Sequence, residues 1–291
     1  MKFVYSDRYY IDIGEHVFPT IKYRMLKERL NFEGIEFIEP EPPDIEDIKL
    51  VHTEEYIEDL LNLRWTQRTA FSELPLSREI VEGFTLMAGG TILTCRTALE
   101  EGRCLHIGGG FHHAFPDHAE GFCYINDIAV GIRKMKEEKK VNRVAIIDCD
   151  LHQGNGTAKI FQQDKEVFTF SIHQENLYPI KEQSDWDIGL RDFTGDEEYL
   201  RNLSYAVPYI LNNHRPELCI YVAGADPYEG DMLGSLRLTK EGLRKRDELV
   251  IGECRRRNIP VAVVLAGGYA SKVEDTVDIH FNTCQVLMDW E

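Results

Sequence analysis

Four short apolar runs in this chain end the same way, each passing at its carboxyl end into glycines and reactive side chains. Leu105-His106-Ile107 runs into Gly108-Gly109-Gly110-Phe111-His112-His113, and Ile146-Ile147 runs into Asp148-Cys149-Asp150-Leu151-His152. Further on, Leu218-Cys219-Ile220-Tyr221-Val222 leads through Ala223-Gly224-Ala225 to Asp226, and residues 261–265 open into Ala266-Gly267-Gly268-Tyr269. Continuous apolar runs suit strands covered on both faces, as in parallel sheets. Parallel strands set their carboxyl ends along one rim, where open α/β sheets carry their sites. The pattern therefore predicts a sheet whose chemistry gathers at one edge.

The rest of the chain agrees with that architecture. Strand-like segments at 3–5, 36–38, 104–107, 144–147, 167–172, 219–222 and 261–265 alternate with helical patterns such as 21–30, 79–101, 126–139 and 240–257. The alternation predicts a single α/β domain over residues 1–291, a parallel β-sheet sandwiched between helices. No linker, repeat or low-complexity tract divides it, and the Pro-rich acidic stretch 39–44 is too short to separate domains.

Residues 146–152 carry most of the chemical information. Side chains alternate faces along an extended strand, so Asp148, Asp150 and His152 project to one side while Cys149 and Leu151 point away. Carboxylate oxygen and neutral imidazole nitrogen suit a divalent metal such as zinc. Taken alone, the two aspartates read equally well as loop or capping residues after a strand. Asp226, Tyr269 and the paired histidines tip the balance towards a metal site.

Five strings, GGGFHHA (108–114), EGFCYINDIAVGI (120–132), DCDLHQGNGTA (148–158), GADPYEGD (224–231) and AGGY (266–269), resemble the active-site motifs of histone deacetylases and their bacterial relatives. They occur in that family's order, and the resemblance runs from about His16 to Tyr269, with the stretch 229–249 most similar to the class IV branch. The resemblance implies the arginase/deacetylase fold. It also implies that Asp150, His152 and Asp226 ligate a catalytic zinc, with ferrous iron as the alternative that O/N/O ligation accepts. Tyr269 corresponds to the hydroxyl donor for the developing oxyanion. His113 corresponds to the general base that takes a proton from the attacking water and returns it to the leaving amine. His112, paired with Asp148, corresponds to a charged or polarised imidazole that steadies the intermediate.

Asn155 stands where many class I members carry Asp to orient the second histidine. An amide hydrogen-bonds the imidazole but adds no charge, so a lower His113 pKa is expected. Gly121 and Phe122 match one wall of the family's acyl-lysine channel, with Tyr178 the expected facing wall and Leu233 on the adjoining surface. A buried core role is the competing reading for Phe122. Asp148, Ser171 and Phe161 match positions that help hold a structural monovalent cation, K+ or Na+. His16, His106, His118, His173, His214 and His280 read as structural.

The expected activity is hydrolysis of an acetyl or longer fatty-acyl amide on lysine. Acetylpolyamines or other small acetylamines are the alternative substrates, and the lack of a long entrance-narrowing insertion tilts the reading towards lysyl substrates. A ureohydrolase shares the fold but needs a two-metal carboxylate set, whereas Gln153-Gly154 and Pro227-Tyr228 follow the ligands here. A silent acyl-lysine-binding scaffold has no need of His113 and Tyr269. The net charge of −17 disfavours direct nucleic-acid binding and suits a cationic substrate, although such charge is chiefly a solubility property. Seven cysteines without a CxxC pair suggest a reducing, cytoplasmic setting, and neither a signal peptide nor a membrane span is expected. Oligomeric state is not legible.

Overall fold

The computed structural model describes residues 1–289. In chain order the elements are β1 (Lys2–Val4), α1 (Ile21–Leu30), β2 (Glu36–Ile38), α2 (Ile45–Lys49), α3 (Glu54–Leu61), α4 (Gln67–Ala70), α5 (Arg78–Glu101) and β3 (Arg103–His106). They continue as α6 (Asp127–Glu137), β4 (Val144–Asp148), α7 (Asn155–Phe161), β5 (Val167–Gln174), β6 (Trp186–Leu190) and α8 (Asp196–His214). The last four are β7 (Leu218–Val222), α9 (Lys240–Arg256), β8 (Val261–Val264) and α10 (Val273–Met288). The strands form one eight-stranded sheet in the order β2-β1-β3-β8-β7-β4-β5-β6. Every pairing is parallel.

The four strands singled out by sequence lie side by side as β3-β8-β7-β4 in the middle of the sheet. Their last residues are in register, His106 with Val264, Val264 with Val222, and Val222 with Asp148. Four loops therefore leave the sheet at one level. Residues of β4, β7 and β8 are buried throughout, which needs cover on both faces. Helices α5 and α6 pack together, while α8, α9, α10 and α1 form a second continuous group. Strand β6 escaped the sequence reading because it is an edge strand with alternating burial, Trp-Asp-Ile-Gly-Leu, and lacks an apolar run.

Local chemistry sets the helix limits. Ser77 Oγ accepts from Ile80 N at the start of α5, and Gly102 ends that helix in the left-handed region at φ 84°. Asn126, expected inside a helix, is instead the N-cap of α6, its Oδ1 accepting from Ala129 N at 3.0 Å. Its amide also donates to the carbonyl of Ala114 at 3.1 Å, tying this helix start to the paired-histidine loop.

Beneath the rim lies a buried ion pair. The Arg246 guanidinium on α9 contacts Asp247 Oδ1 at 2.8 Å, with both side chains sealed from solvent. It also donates to the carbonyls of Gly224 at 2.5 Å and Cys149 at 3.3 Å, while Asp247 accepts from Tyr221 (2.5 Å) and Thr283 (2.6 Å). One cation thus braces the loops after both β4 and β7. Arg246→Ala leaves Asp247 buried without its charge partner, so chemical denaturation is expected to show a loss of about 3–5 kcal/mol. A loss below about 1 kcal/mol would mean that solvent reaches the pair.

Candidate active site

Asp150, His152 and Asp226 converge at the rim, with one potential ligand atom from each lying within 4.8 Å of the others. His152 Nδ1 is 3.3 Å from Asp150 Oδ1 and 3.3 Å from Asp226 Oδ2. Backbone amides hold the two carboxylates: Leu151 N donates to Asp226 Oδ1 and Gly267 N to Asp150 Oδ2, each at 3.0 Å. Asp226 Oδ2 is buried and has no hydrogen-bond partner among the described residues. The surrounding glycines permit this crowding, since a Cβ on Gly267 would sit 2.2 Å from Asp226 Oδ2 and one on Gly224 2.5 Å from Asp150 Oδ2. An unpartnered buried carboxylate oxygen beside a second carboxylate and an imidazole fits a divalent cation, whose charge would offset the cost of burying both anions.

The residues also hold one another's protons. Burial alone would depress the His152 imidazole, but Asp150 and Asp226 override it and lift the ring to about 10. Asp226 is pushed up to about 6, first by burial and then by the Asp150 charge.

The two histidines of the glycine-rich loop lie together, ring centroids 4.1 Å apart, in opposite electrostatic surroundings. His112 Nδ1 is 2.7 Å from Asp148 Oδ2. Burial works against its charge, yet Asp148 and Asp150 raise it to about 9. His113 Nδ1 instead faces the Asn155 carbonyl oxygen at 2.8 Å. Burial, then the charges of His112 and His152, hold its pKa well below the ordinary histidine range. One ring is therefore built to be cationic and its neighbour to be neutral. The loop carrying them is pinned by buried Asp127, which accepts from Gly110 N (3.0 Å) and Phe111 N (2.7 Å) and pairs with Thr91.

Tyr269 enters on the loop after β8. Its backbone N donates to Asp231 Oδ2 at 2.7 Å, and its carbonyl accepts from Met232 N at 3.2 Å. Lys22 on α1 reaches under the same loop, its Nζ donating to the Ala266 carbonyl at 2.7 Å. Its ammonium lies 5.4 Å from the ring centroids of Phe18 and Tyr23 and 5.8 Å from that of Tyr269. Burial draws Lys22 down to about 8, against the pull of Asp226, Asp150 and Asp231.

Gly121, Phe122, Tyr178 and Leu233 line one cavity with His113, His152 and Tyr269. Phe122 has φ 62°, its ring centroid 5.8 Å from that of Tyr269, so the sequence-level alternative of a fully buried core aromatic does not describe it. Tyr178 is 43% exposed and packs edge-on to His113 at 5.5 Å. Glu73 and Leu177 complete the lining and had no sequence pattern to mark them. Asp148 and Ser171 are register partners of β4 and β5, with Ser171 Oγ 2.9 Å from His173 Nδ1. Phe161 closes α7, where its carbonyl accepts from Asp164 N at 2.8 Å. Among the remaining histidines, His106 bridges Tyr9 (2.8 Å) and Thr91 (3.0 Å), whereas both ring nitrogens of buried His280 lack hydrogen-bond partners among the described residues.

Residues 16–284 match the histone deacetylase domain. The chain is 39% identical over 287 residues to an uncharacterized protein of Picosynechococcus, covering 95% of each chain. It is 32% identical over 269 residues to Histone deacetylase 2 of Arabidopsis thaliana, covering 87% of this chain and 70% of that one. The crystal structure of the HDA15 HD domain superposes with a TM-score of 0.82 at 21% identity, covering 99% of this chain and 91% of that chain, a likeness of fold. The chain belongs to the histone deacetylase family.

Because the cation-free His152 ring holds a proton up to about pH 10, a binding cation must displace it. Zinc affinity is therefore expected to rise with pH across 6–9. Calorimetry in buffers of different ionisation enthalpy should show release of about one proton per ion. Asp226→Ala should abolish that binding, and an affinity that ignores both pH and this substitution would rule the site out.

Proposed function

We propose that this protein is a metal-dependent amidohydrolase that removes an acyl group from the side-chain amide of lysine. The observation that carries the reading is the joint placement of a cationic and a neutral imidazole, a tyrosine hydroxyl and an O/N/O ligand set on one rim. A divalent cation held by Asp150, His152 and Asp226, zinc or ferrous iron, would supply Lewis acidity towards the amide carbonyl and a water.

The protein's own groups account for the proton movements. Neutral His113, its Nδ1–H donating to Asn155, presents Nε2 as the acceptor for the proton of the attacking water. The same nitrogen returns that proton to the lysine nitrogen as the C–N bond breaks, leaving a carboxylic acid and a free amine. His112, kept cationic by Asp148, and the Tyr269 hydroxyl stabilise the oxyanion that develops on the carbonyl oxygen. Phe122 and Tyr178 flank the aliphatic stem of the lysine and displace water from it.

A second reading, an acetylpolyamine or another acylated amine as substrate, is favoured by Glu73 on the cavity wall, whose carboxylate suits a cationic chain. The class IV-like stretch at 229–249 makes long acyl groups worth the same comparison.

The test is hydrolysis of matched acetyl-lysine and myristoyl-lysine peptides and of N8-acetylspermidine, with and without a chelator. Turnover is expected to be chelator-sensitive and to fall by about 100- to 1,000-fold in Tyr269→Phe. Failure of the metal-loaded protein to act on any acylated substrate would overturn the enzymatic reading in favour of a binding scaffold.

A further inference from the structure

A general base needs the right tautomer, and here an amide that has two possible orientations decides it. Asn155 Oδ1 lies 2.8 Å from His113 Nδ1, and Asn155 Nδ2 lies 2.8 Å from Glu120 Oε1. A carboxylate only accepts, so the amide edge facing Glu120 must be its NH2. The opposite edge is then a carbonyl oxygen, which also only accepts, so His113 Nδ1 must carry the hydrogen. Nε2 keeps its lone pair and can act as the base. With the amide flipped, two oxygens would meet at 2.8 Å with no proton between them, and His113 Nδ1 would face a donor. The ring would then carry its proton on Nε2 and could accept none there.

We propose that Glu120, acting through Asn155, sets the tautomer of His113 and is a positioning residue for the hydrolysis. The inference rests on the reading of His113 as the base.

Two further contacts define the carboxylate. The Tyr178 hydroxyl donates to the same Oε1 at 3.1 Å, and His118 Nε2 stands 3.6 Å from Oε2. The Ile180 carbonyl is the other acceptor for the Asn155 amide, at 3.5 Å. That bond is at the limit of hydrogen-bond length, so it opposes a flip far less than the carboxylate does. Glu120 is half-buried; burial opposes its ionisation, but the neighbouring His118 imidazole and the bonds from Asn155 and Tyr178 outweigh that and keep it a carboxylate. Its bond to Tyr178 also joins a channel wall to the group that orients the base. Glu120 therefore makes up for what the amide at 155 lacks, since an Asp there would accept from His113 however its side chain turned.

The direct readout is nitrogen-15 NMR of the histidine rings in the metal-loaded full chain, with His113 assigned by its loss in His113→Ala. The wild type and Glu120→Gln, whose Oε1 still accepts, are expected to show the Nδ1–H tautomer. Glu120→Ala should populate the Nε2–H form, and Glu120→Met serves if the alanine variant does not fold. In acyl-lysine hydrolysis, kcat of Glu120→Ala should fall by about 10- to 100-fold, less than the roughly 100- to 10,000-fold a general base supplies because part of the base survives, with little change in KM. Adding Asn155→Asp to Glu120→Ala should restore the Nδ1–H tautomer and recover part of kcat. An unchanged His113 tautomer in Glu120→Ala overturns the proposal whatever the activity does. A raised KM with unchanged kcat overturns it too, and assigns Glu120 to the channel through Tyr178. If the wild type hydrolyses nothing, the deacylase reading fails, while the ring tautomer still decides whether Glu120 controls Asn155.

Discussion

Two carboxylates, Asp150 and Asp226, are each 1% exposed and share one point with His152, and one Asp226 oxygen has no hydrogen-bond partner among the described residues. Burying anions in this way is costly unless charge is returned to them. Much of the surrounding structure can be understood as meeting that demand. Amides of Leu151 and Gly267 point at the carboxylates, Lys22 lies beneath the neighbouring loop, and a bound divalent cation would supply the largest share. Arg246 does the mechanical part by holding the Cys149 and Gly224 carbonyls, so that one side chain ties together the two loops carrying the ligands. The same requirement explains the glycines at 224 and 267, where any Cβ would collide with the carboxylates.

The paired histidines show how small differences in partner produce different chemistry. Both rings are buried and nearly touch, so burial acts on them alike. Asp148 gives one a full negative charge, and Asn155 gives the other only a carbonyl dipole. The first ring is thereby cationic where the second is neutral, the division of labour that amide hydrolysis needs in a single site. The difference arises from two side chains, one ending β4 and the other opening α7, seven positions apart in the chain.

The centre of this arrangement was legible in the sequence because each strand that carries it is a continuous apolar run and ends in chemistry. Parallel pairing then made convergence the natural outcome, and residues 108–113, 148–155, 226 and 266–269 do meet. What escaped the sequence reading shares a physical cause. Edge strand β6 alternates polar and apolar residues and looks like a loop. Lys22 and Arg246 sit in helices rich in charge, and no periodicity says which cation turns inward. Glu120 is 35 residues from Asn155, so their contact exists only in the fold.

The rim of β3, β8, β7 and β4 gathers the groups needed to add water across an amide bond. Turnover of an acyl-lysine peptide in heavy-oxygen water, followed by mass spectrometry of both products, tests that claim most directly. The expected result is a labelled oxygen in the released carboxylate and an unlabelled free lysine amine. An unlabelled carboxylate, or an acyl group delivered to an acceptor other than water, would contradict it.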